Sequence, residues 1–156
     1  MSGEKDSHRE IERKFLVRTM PERLDRFRAT EIAQGYLAIA PNGVQVRLRK
    51  RDAAHSLTYK RNSGLAREER EIELSLAQFE VLWPATQGKR LMKIRYDIPL
   101  ANAVVEVDVY RSQHEGLIVA EVEFDDEQSA RDFQAPEWLG EDVTLDPRYS
   151  NQLLAS

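Results

Sequence analysis

Polar and apolar side chains alternate along most of this chain with a period of two. In REIERKFLV, Glu10, Glu12 and Lys14 share one face of an extended segment and Ile11, Arg13 and Phe15 share the other, because successive strand side chains point to opposite sides. The pattern recurs downstream. Gln45, Arg47 and Arg49 alternate with Val44, Val46 and Leu48, and Glu69, Glu71 and Glu73 fall opposite Ile72 and Leu74. Lys93, Arg95 and Asp97 alternate with Met92 and Ile94, Glu106 and Asp108 with Val105, Val107 and Val109, and Glu121 and Glu123 with Val122 and Phe124. LTYK adds Thr58 and Lys60 to the polar side.

These runs predict strands at Glu10 to Val17, Gln34 to Ile39, Val44 to Arg51, Ser56 to Arg61, Arg67 to Leu74, Leu91 to Ile98, Val104 to Tyr110 and Leu117 to Phe124. Pro41-Asn42-Gly43, Asn62-Ser63-Gly64 and Ser112 to Gly116 supply turn chemistry between neighbours, which predicts hairpins and antiparallel pairing. Helical signals are fewer. Ser75 precedes LAQFEVLW, whose Leu76, Phe79, Leu82 and Trp83 make an apolar stripe, and Asp126 caps a second helix to Phe133. Tyr149 to Leu154 and Met20 to Phe27 are further candidates. The fold class expected is α+β, mainly β: an eight-stranded antiparallel barrel, since closure removes the exposed edges of a sheet.

With 156 residues, 41% hydrophobic and 32% charged, the chain suits one domain at residues 10–156, behind a polar leader at 1–9 expected to be disordered. It has no cysteine, so disulfides and thiolate metal sites are excluded. No signal-type or membrane-length apolar run occurs, and the expectation is a cytoplasmic protein with no membrane partner. The net charge of −4 gives no large basic surface for nucleic acid, and the short RLRKR run at Arg47 to Arg51 reads as an element end. His8, His55 and His114 fall in the leader or near turns and are read as exposed and unliganded.

An antiparallel sheet with one wet face produces the same alternation. Segregation by sign argues for something more specific, because some strands present only bases and others only acids. Like charges two residues apart repel strongly in a shielded groove unless a ligand of opposite sign compensates them. The acidic set, Glu10, Glu12, Glu71, Glu73, Glu121 and Glu123, offers oxygen donors suited to Mg²⁺ or Mn²⁺. The basic set, Lys14, Arg47, Arg49, Lys60, Lys93 and Arg95, suits phosphate oxygens. If both sets point inward, the barrel is a polar tunnel, and its hydrophobic core lies outside, under the helices.

Taken in order, these segments resemble the CYTH, or triphosphate tunnel metalloenzyme, superfamily. ExExK stands here as Glu10-Ile11-Glu12-Arg13-Lys14, followed by QGYL at Gln34, RLR at Arg47, LTYK at Leu57, EREIEL at Glu69, KIRY at Lys93, EVDVY at Glu106 and AEVEF at Ala120. GEDVT at Gly140 and DPRYSN at Asp146 close the series. The strongest likeness is to small bacterial inorganic triphosphatases. It implies divalent-metal-dependent hydrolysis of tripolyphosphate to pyrophosphate and phosphate, with Mg²⁺ or Mn²⁺ held by Glu10, Glu121 and Glu123. Catalysis would fall to Glu12, Glu71, Glu73 and Lys93, phosphate binding to Lys14, Arg47, Arg49, Lys60, Lys93 and Arg95, and Tyr36 would stand at the tunnel mouth or pack. Glu106 and Asp108 would hold bases in place, and Arg148 would help a C-terminal helix cover one end or lie on the surface. Nucleoside or thiamine triphosphate hydrolysis, class IV-type adenylate cyclisation and noncatalytic polyphosphate binding are the alternatives, and a monomer and a homodimer both remain open.

Overall fold

The computed structural model describes residues 7–63 and 66–156, with the side chains of residues 7–10, 62–63 and 66–67 outside that description. Nine strands form one antiparallel sheet: β1 (Ser7–Val17), β2 (Arg28–Ile39), β3 (Val44–Arg51), β4 (Ala54–Ser63), β5 (Ala66–Leu74), β6 (Arg90–Leu100), β7 (Ala103–Tyr110), β8 (Ile118–Phe124) and β9 (Leu139–Asp142). Their spatial order is β5-β4-β3-β2-β6-β7-β8-β1-β9. The first part of β1 pairs with β5, from Ser7↔Arg70 to Ile11↔Ala66, and the rest pairs with β8, from Ile11↔Phe124 to Leu16↔Val119. One strand thus bridges both ends of the ladder, and β1 to β8 wrap into a barrel. The ninth strand is short and comes from GEDVT; it lies against β1 through Phe15↔Asp142 and Val17↔Leu139.

Local chemistry sets the boundaries. Asn42 Oδ1 accepts from the Val44 amide at 3.2 Å and Gly43 takes φ 87°, which turns β2 into β3. Helix α1 (Leu76–Leu82) begins in a capping box, with Ser75 Oγ accepting from the Gln78 amide and the Gln78 side chain accepting from the Ser75 amide. Asp126 caps α2 (Glu127–Asp132), and Ser150 caps α3 (Asn151–Leu154). The helix expected over Met20 to Phe27 is reduced to a single 3-10 turn at Leu24–Arg26. Pro21 precedes this turn and Arg23 sits at φ 61°, a left-handed conformation that stops a right-handed helix from propagating. β2 starts six residues before the expected Gln34, because Arg28 to Gly35 pair with β6 along their whole length.

The apolar faces point outward, as the tunnel arrangement requires. Phe15, Ile98, Val105, Val107, Ala120, Val122 and Leu139 form a buried cluster covered by Met20, Leu24, Phe27, Phe133 and Trp138. The segment linking β1 to β2 is therefore a cover for the barrel wall. On the opposite wall Phe79 of α1 stacks on Trp83 with ring centres 5.0 Å apart and meets His55 at 4.7 Å. A second cluster is of another kind: Tyr36, Leu91, Tyr110 and Val119 come from inward-facing strand positions and pack on Leu154 and Ala155 of the C-terminal segment. That segment closes one end of the bore. Among the described residues no helix is long and apolar enough to cross a membrane.

Candidate active site

Strand register brings the charged positions together around the bore. Directly opposed residues of an antiparallel pair project to the same side, so each cross-strand pair places two side chains on one wall. Lys93↔Tyr110, Arg95↔Asp108 and Asp97↔Glu106 join β6 to β7, and Glu106↔Glu121 joins β7 to β8. Lys14↔Glu121 and Glu12↔Glu123 join β1 to β8. On the far side Tyr36↔Arg47 and Gln34↔Arg49 join β2 to β3, Arg47↔Thr58 and Gln45↔Lys60 join β3 to β4, and Thr58↔Glu71 and Lys60↔Glu69 join β4 to β5.

These side chains are enclosed. Glu12, Lys14, Arg47, Lys60, Lys93, Arg95, Asp108 and Glu121 are all buried, in a protein whose charged groups would ordinarily sit in water. Burying an ion is costly unless it is paired and hydrogen-bonded, and the partners divide the basic residues into groups. Lys93 and Arg95 are already neutralised within the protein. Lys93 Nζ donates to Asp108 Oδ2 at 2.7 Å, Arg95 donates to both Asp108 oxygens at 2.7 and 2.9 Å, and Arg95 Nη1 donates to Glu106 at 2.7 Å. Lys14 lies 3.7 Å from Glu121 and donates to the Tyr149 carbonyl at 3.0 Å. Lys60 lies 3.5 Å from Glu69.

Arg47 and Arg49 stand apart. Arg49 donates twice to the neutral Gln34 carbonyl oxygen, at 3.2 and 3.0 Å. Arg47 is 2% exposed, and its Nε has no hydrogen-bond partner. Two alternate positions of one strand, Arg47 buried and Arg49 half-buried, therefore carry guanidinium groups to which no carboxylate among the described residues is hydrogen-bonded. Burial, with Arg47 and Arg95 nearby, pulls the Arg49 guanidinium down to about 9. The Thr30 hydroxyl, fully buried and opposite Arg95, also lacks a partner.

The acidic wall shows the converse strain. Glu106 faces Glu121 across the β7–β8 pair, and Glu12 faces Glu123. Burial pushes the Glu106 carboxyl up; Arg95 opposes this, while Glu121, Asp108 and Asp97 reinforce it. Oxygen-only donors under mutual repulsion fit a hard divalent cation. Glu121 is buried and Glu123 exposed. Glu10 is held by its backbone in β1 opposite Arg67; its side chain, the third expected ligand, lies outside the described residues. Among the described residues no three carboxylates or histidines are already gathered as a ligand set.

Other expected residues are placed as follows. Glu71 accepts from the Thr58 hydroxyl at 2.7 Å and is exposed, as is Glu73, which lies beside the β3–β4 turn with Asp52 and Ala53. Tyr36 packs in the sealed end, 1% exposed, and is not at a mouth. Arg148 stays at the surface, bound to Asp146 at 2.6 Å. The expectation of exposed histidines is corrected for two of them: His55 is half-buried against Phe79, and the His114 ring bonds the Leu154 carbonyl. Gln34, which orients Arg49, carries no charge, so the alternation of charged positions does not mark it.

The end opposite the C-terminal segment opens into a cleft of about 1150 Å³ bordered by Arg51, Asp97, Glu106 and Glu123. A barrel of this kind, with a charged bore, an external apolar core and one covered end, defines the class as a tunnel-type β-barrel with acidic and basic walls. The chain belongs to the CYTH domain family, whose family model matches residues 8–150. It is 43% identical over 147 residues to an inorganic triphosphatase of Nitrosomonas europaea, covering 94% of this chain and 96% of that one. It is 33% identical over 152 residues to an inorganic triphosphatase of Acetivibrio thermocellus, with coverage of 94% and 92%. Among solved structures, an inorganic triphosphatase superposes with a TM-score of 0.70 at 41% identity, covering 94% of this chain and 93% of that one. A Pyrococcus horikoshii protein superposes with a TM-score of 0.58 at 20% identity, covering 78% and 83%, and shows the fold alone.

Proposed function

We propose that this protein hydrolyses tripolyphosphate to pyrophosphate and phosphate with the help of Mg²⁺ or Mn²⁺. The observation that carries the reading is the Arg47 and Arg49 pair: a buried guanidinium group with an unbonded Nε beside a half-buried one hydrogen-bonded to a neutral amide. A polyphosphate supplies the negative oxygens that such a pair needs. The names of the Nitrosomonas and Acetivibrio relatives support the same substrate.

Glu121 and Glu123, with Glu10, would hold the cation on the acidic wall. When bound, the cation supplies charge neutralisation at the phosphoryl oxygens. Arg47, Arg49, Lys60 and Lys14 grip the chain, and Lys93 and Arg95 hold positive charge in place through Asp108. These donors are fixed before the substrate arrives, so they stabilise the charge that spreads over the transferring phosphoryl without reorganising. Glu12, 5% exposed on the bore side, is positioned to orient the attacking water and take its proton. The water oxygen forms the new bond to the terminal phosphorus, and the bridging P–O bond breaks. Pyrophosphate leaves with the electron pair. Glu71 and Glu73, both exposed, act on the approach of the cation and substrate.

The test is phosphate release from tripolyphosphate, ATP and thiamine triphosphate with each metal, run beside an assay for cyclic AMP. Tripolyphosphate is expected to give the highest kcat/KM, and chelation of the metal to abolish turnover. Glu121→Gln and Glu123→Gln are expected to lose turnover while retaining anion binding. Cyclic AMP as main product, or tripolyphosphate binding without turnover in the unaltered protein, would replace this reading.

A further inference from the structure

The charged residues above account for the bore and its open end, and leave unexplained why the opposite end is sealed so specifically. Three polar contacts from separate strands and turns tie the C-terminal segment down. Lys14 Nζ of β1 donates to the Tyr149 carbonyl at 3.0 Å. The Tyr110 hydroxyl of β7 donates to Asn151 Oδ1 at 2.5 Å. The His114 ring, in the turn between β7 and β8, bonds the Leu154 carbonyl. A helix of four residues has too few internal bonds to persist unaided. Its order here comes from this docking, from the Ser150 cap and from the burial of Leu154 and Ala155.

What lies beneath it gives the docking a consequence. Tyr110 is 1% exposed, and its ring centre is 5.4 Å from Lys93 Nζ. Burial raises the Tyr110 hydroxyl well above its ordinary value, with Asp108 and Glu121 adding to the effect, so it remains a donor to Asn151. A buried ring bonded at its outer tip to the floor of the bore has little freedom, and its inner face is set against the Lys93 ammonium. Lys93 is itself 1% exposed.

We propose that Asn151 is a positioning residue: through its bond to Tyr110 it docks the C-terminal helix as a watertight floor and fixes the Tyr110 ring across Lys93, so that this lysine works in a dry blind end. The inference deepens the triphosphatase reading and rests on it for the meaning of Lys93, but the arrangement itself stands on the contacts above. The groups that face Lys93 are Asp108 and Tyr110 on β7, Arg95 on its own strand, Glu121 on β8 and Arg49 on β3. Desolvation by burial outweighs the attraction of Asp108 and draws the lysine down to about 7. Opening the floor restores water to the amine and removes the main cause of that depression.

The experiment follows the side-chain carbon resonance of Lys93 against pH without metal or substrate. Its subjects are the unaltered protein, Asn151→Ala, Tyr110→Phe and a chain ending at Tyr149. The Lys93 midpoint is expected to rise by a unit or more in Asn151→Ala and in the truncated chain. Tyr110→Phe, which keeps the ring and loses the hydroxyl, should move it in the same direction. Thermal melting of each variant identifies any that fails to fold, and either remaining altered protein then decides the matter. An unchanged midpoint in the folded variants overturns the proposal. This readout needs no turnover, so an inactive protein would count against the proposed reaction without deciding the role of Asn151.

Discussion

Asp108 lies 2.7 Å from Lys93 and holds Arg95 with both of its oxygens, so one fully buried carboxylate serves two buried cations. Burial alone would raise the Asp108 carboxyl, but Arg95 and then Lys93 hold it below the ordinary carboxylate range. Removing the charge while keeping the shape, as in Asp108→Asn, strands two cations in a dry wall. Breaking a buried ion pair from one side costs about 3–5 kcal/mol. For a domain of this size that corresponds to a fall in Tm of roughly 6–20 °C, measurable by calorimetry. A loss of less than about 1 kcal/mol would mean that water reaches this wall.

The same cluster gives stability a distinct pH dependence. Lys93 has a folded-state value near 7 against an ordinary unfolded value of about 10.4. Between these limits the unfolded chain binds more protons than the folded one, so stability rises with pH across that window. The penalty for a buried ammonium is fully present below the folded value and is relieved above it. Lys93→Met should flatten this rise in denaturant titrations run from pH 6 to 10 at fixed salt. A rise that persists unchanged in that variant would assign it to another group.

The charged rows were legible because a period of two is the strongest local signal a chain carries, and every residue from Glu12 to Glu123 named from it lies on a strand. Sign segregation identified a bore, but could not divide the cations by partner. That Arg95 is neutralised by Asp108 while Arg47 is not depends on which strands are neighbours around the barrel. The covering of the apolar wall departs from its local pattern for a related reason: Met20 and Phe27 have helical spacing, yet they are held by packing on the buried cluster of the barrel wall and not by a helix of their own. Tyr36 could not be placed from its motif, because the surface it packs on is supplied by Leu154, more than a hundred residues later.

Gly35 of the QGYL segment has an explanation that the motif alone does not provide. A Cβ built there would lie 2.6 Å from both Cβ and Oγ1 of Thr86. Thr86 cannot move aside easily: it is fully buried, donates to the Trp83 carbonyl at 2.7 Å and accepts from Arg90 at 2.8 Å. Gly35→Ala is therefore expected to destabilise the fold by about 1–3 kcal/mol, the usual cost of overfilling a packed site. The paired variant Gly35→Ala with Thr86→Gly, which removes Cβ, Oγ1 and Cγ2 from the contact, should cost less in a thermal melt than the two single variants summed, a partial recovery of the Gly35→Ala loss. No recovery would show that the strain lies in the backbone of β2.

Arg47 offers the sharpest separation of stability from function. Its guanidinium is buried with an unbonded Nε, and a buried polar group left without a partner costs about 1–3 kcal/mol. Arg47→Met keeps much of the stem and removes a charge whose burial is costly without a paired carboxylate. The altered protein should melt at the same temperature or higher. Tripolyphosphate turnover should fall about 10²-fold or more, as for loss of one preorganised donor to a transition state. Arg49→Met should lose turnover too, and it also deprives the buried Gln34 carbonyl oxygen of both its donors, so its melting temperature should not rise. Calorimetry and phosphate release measured on the two proteins together decide the point: a marked fall in melting temperature with full turnover for Arg47→Met would make this arginine a structural group and leave the anion to other residues.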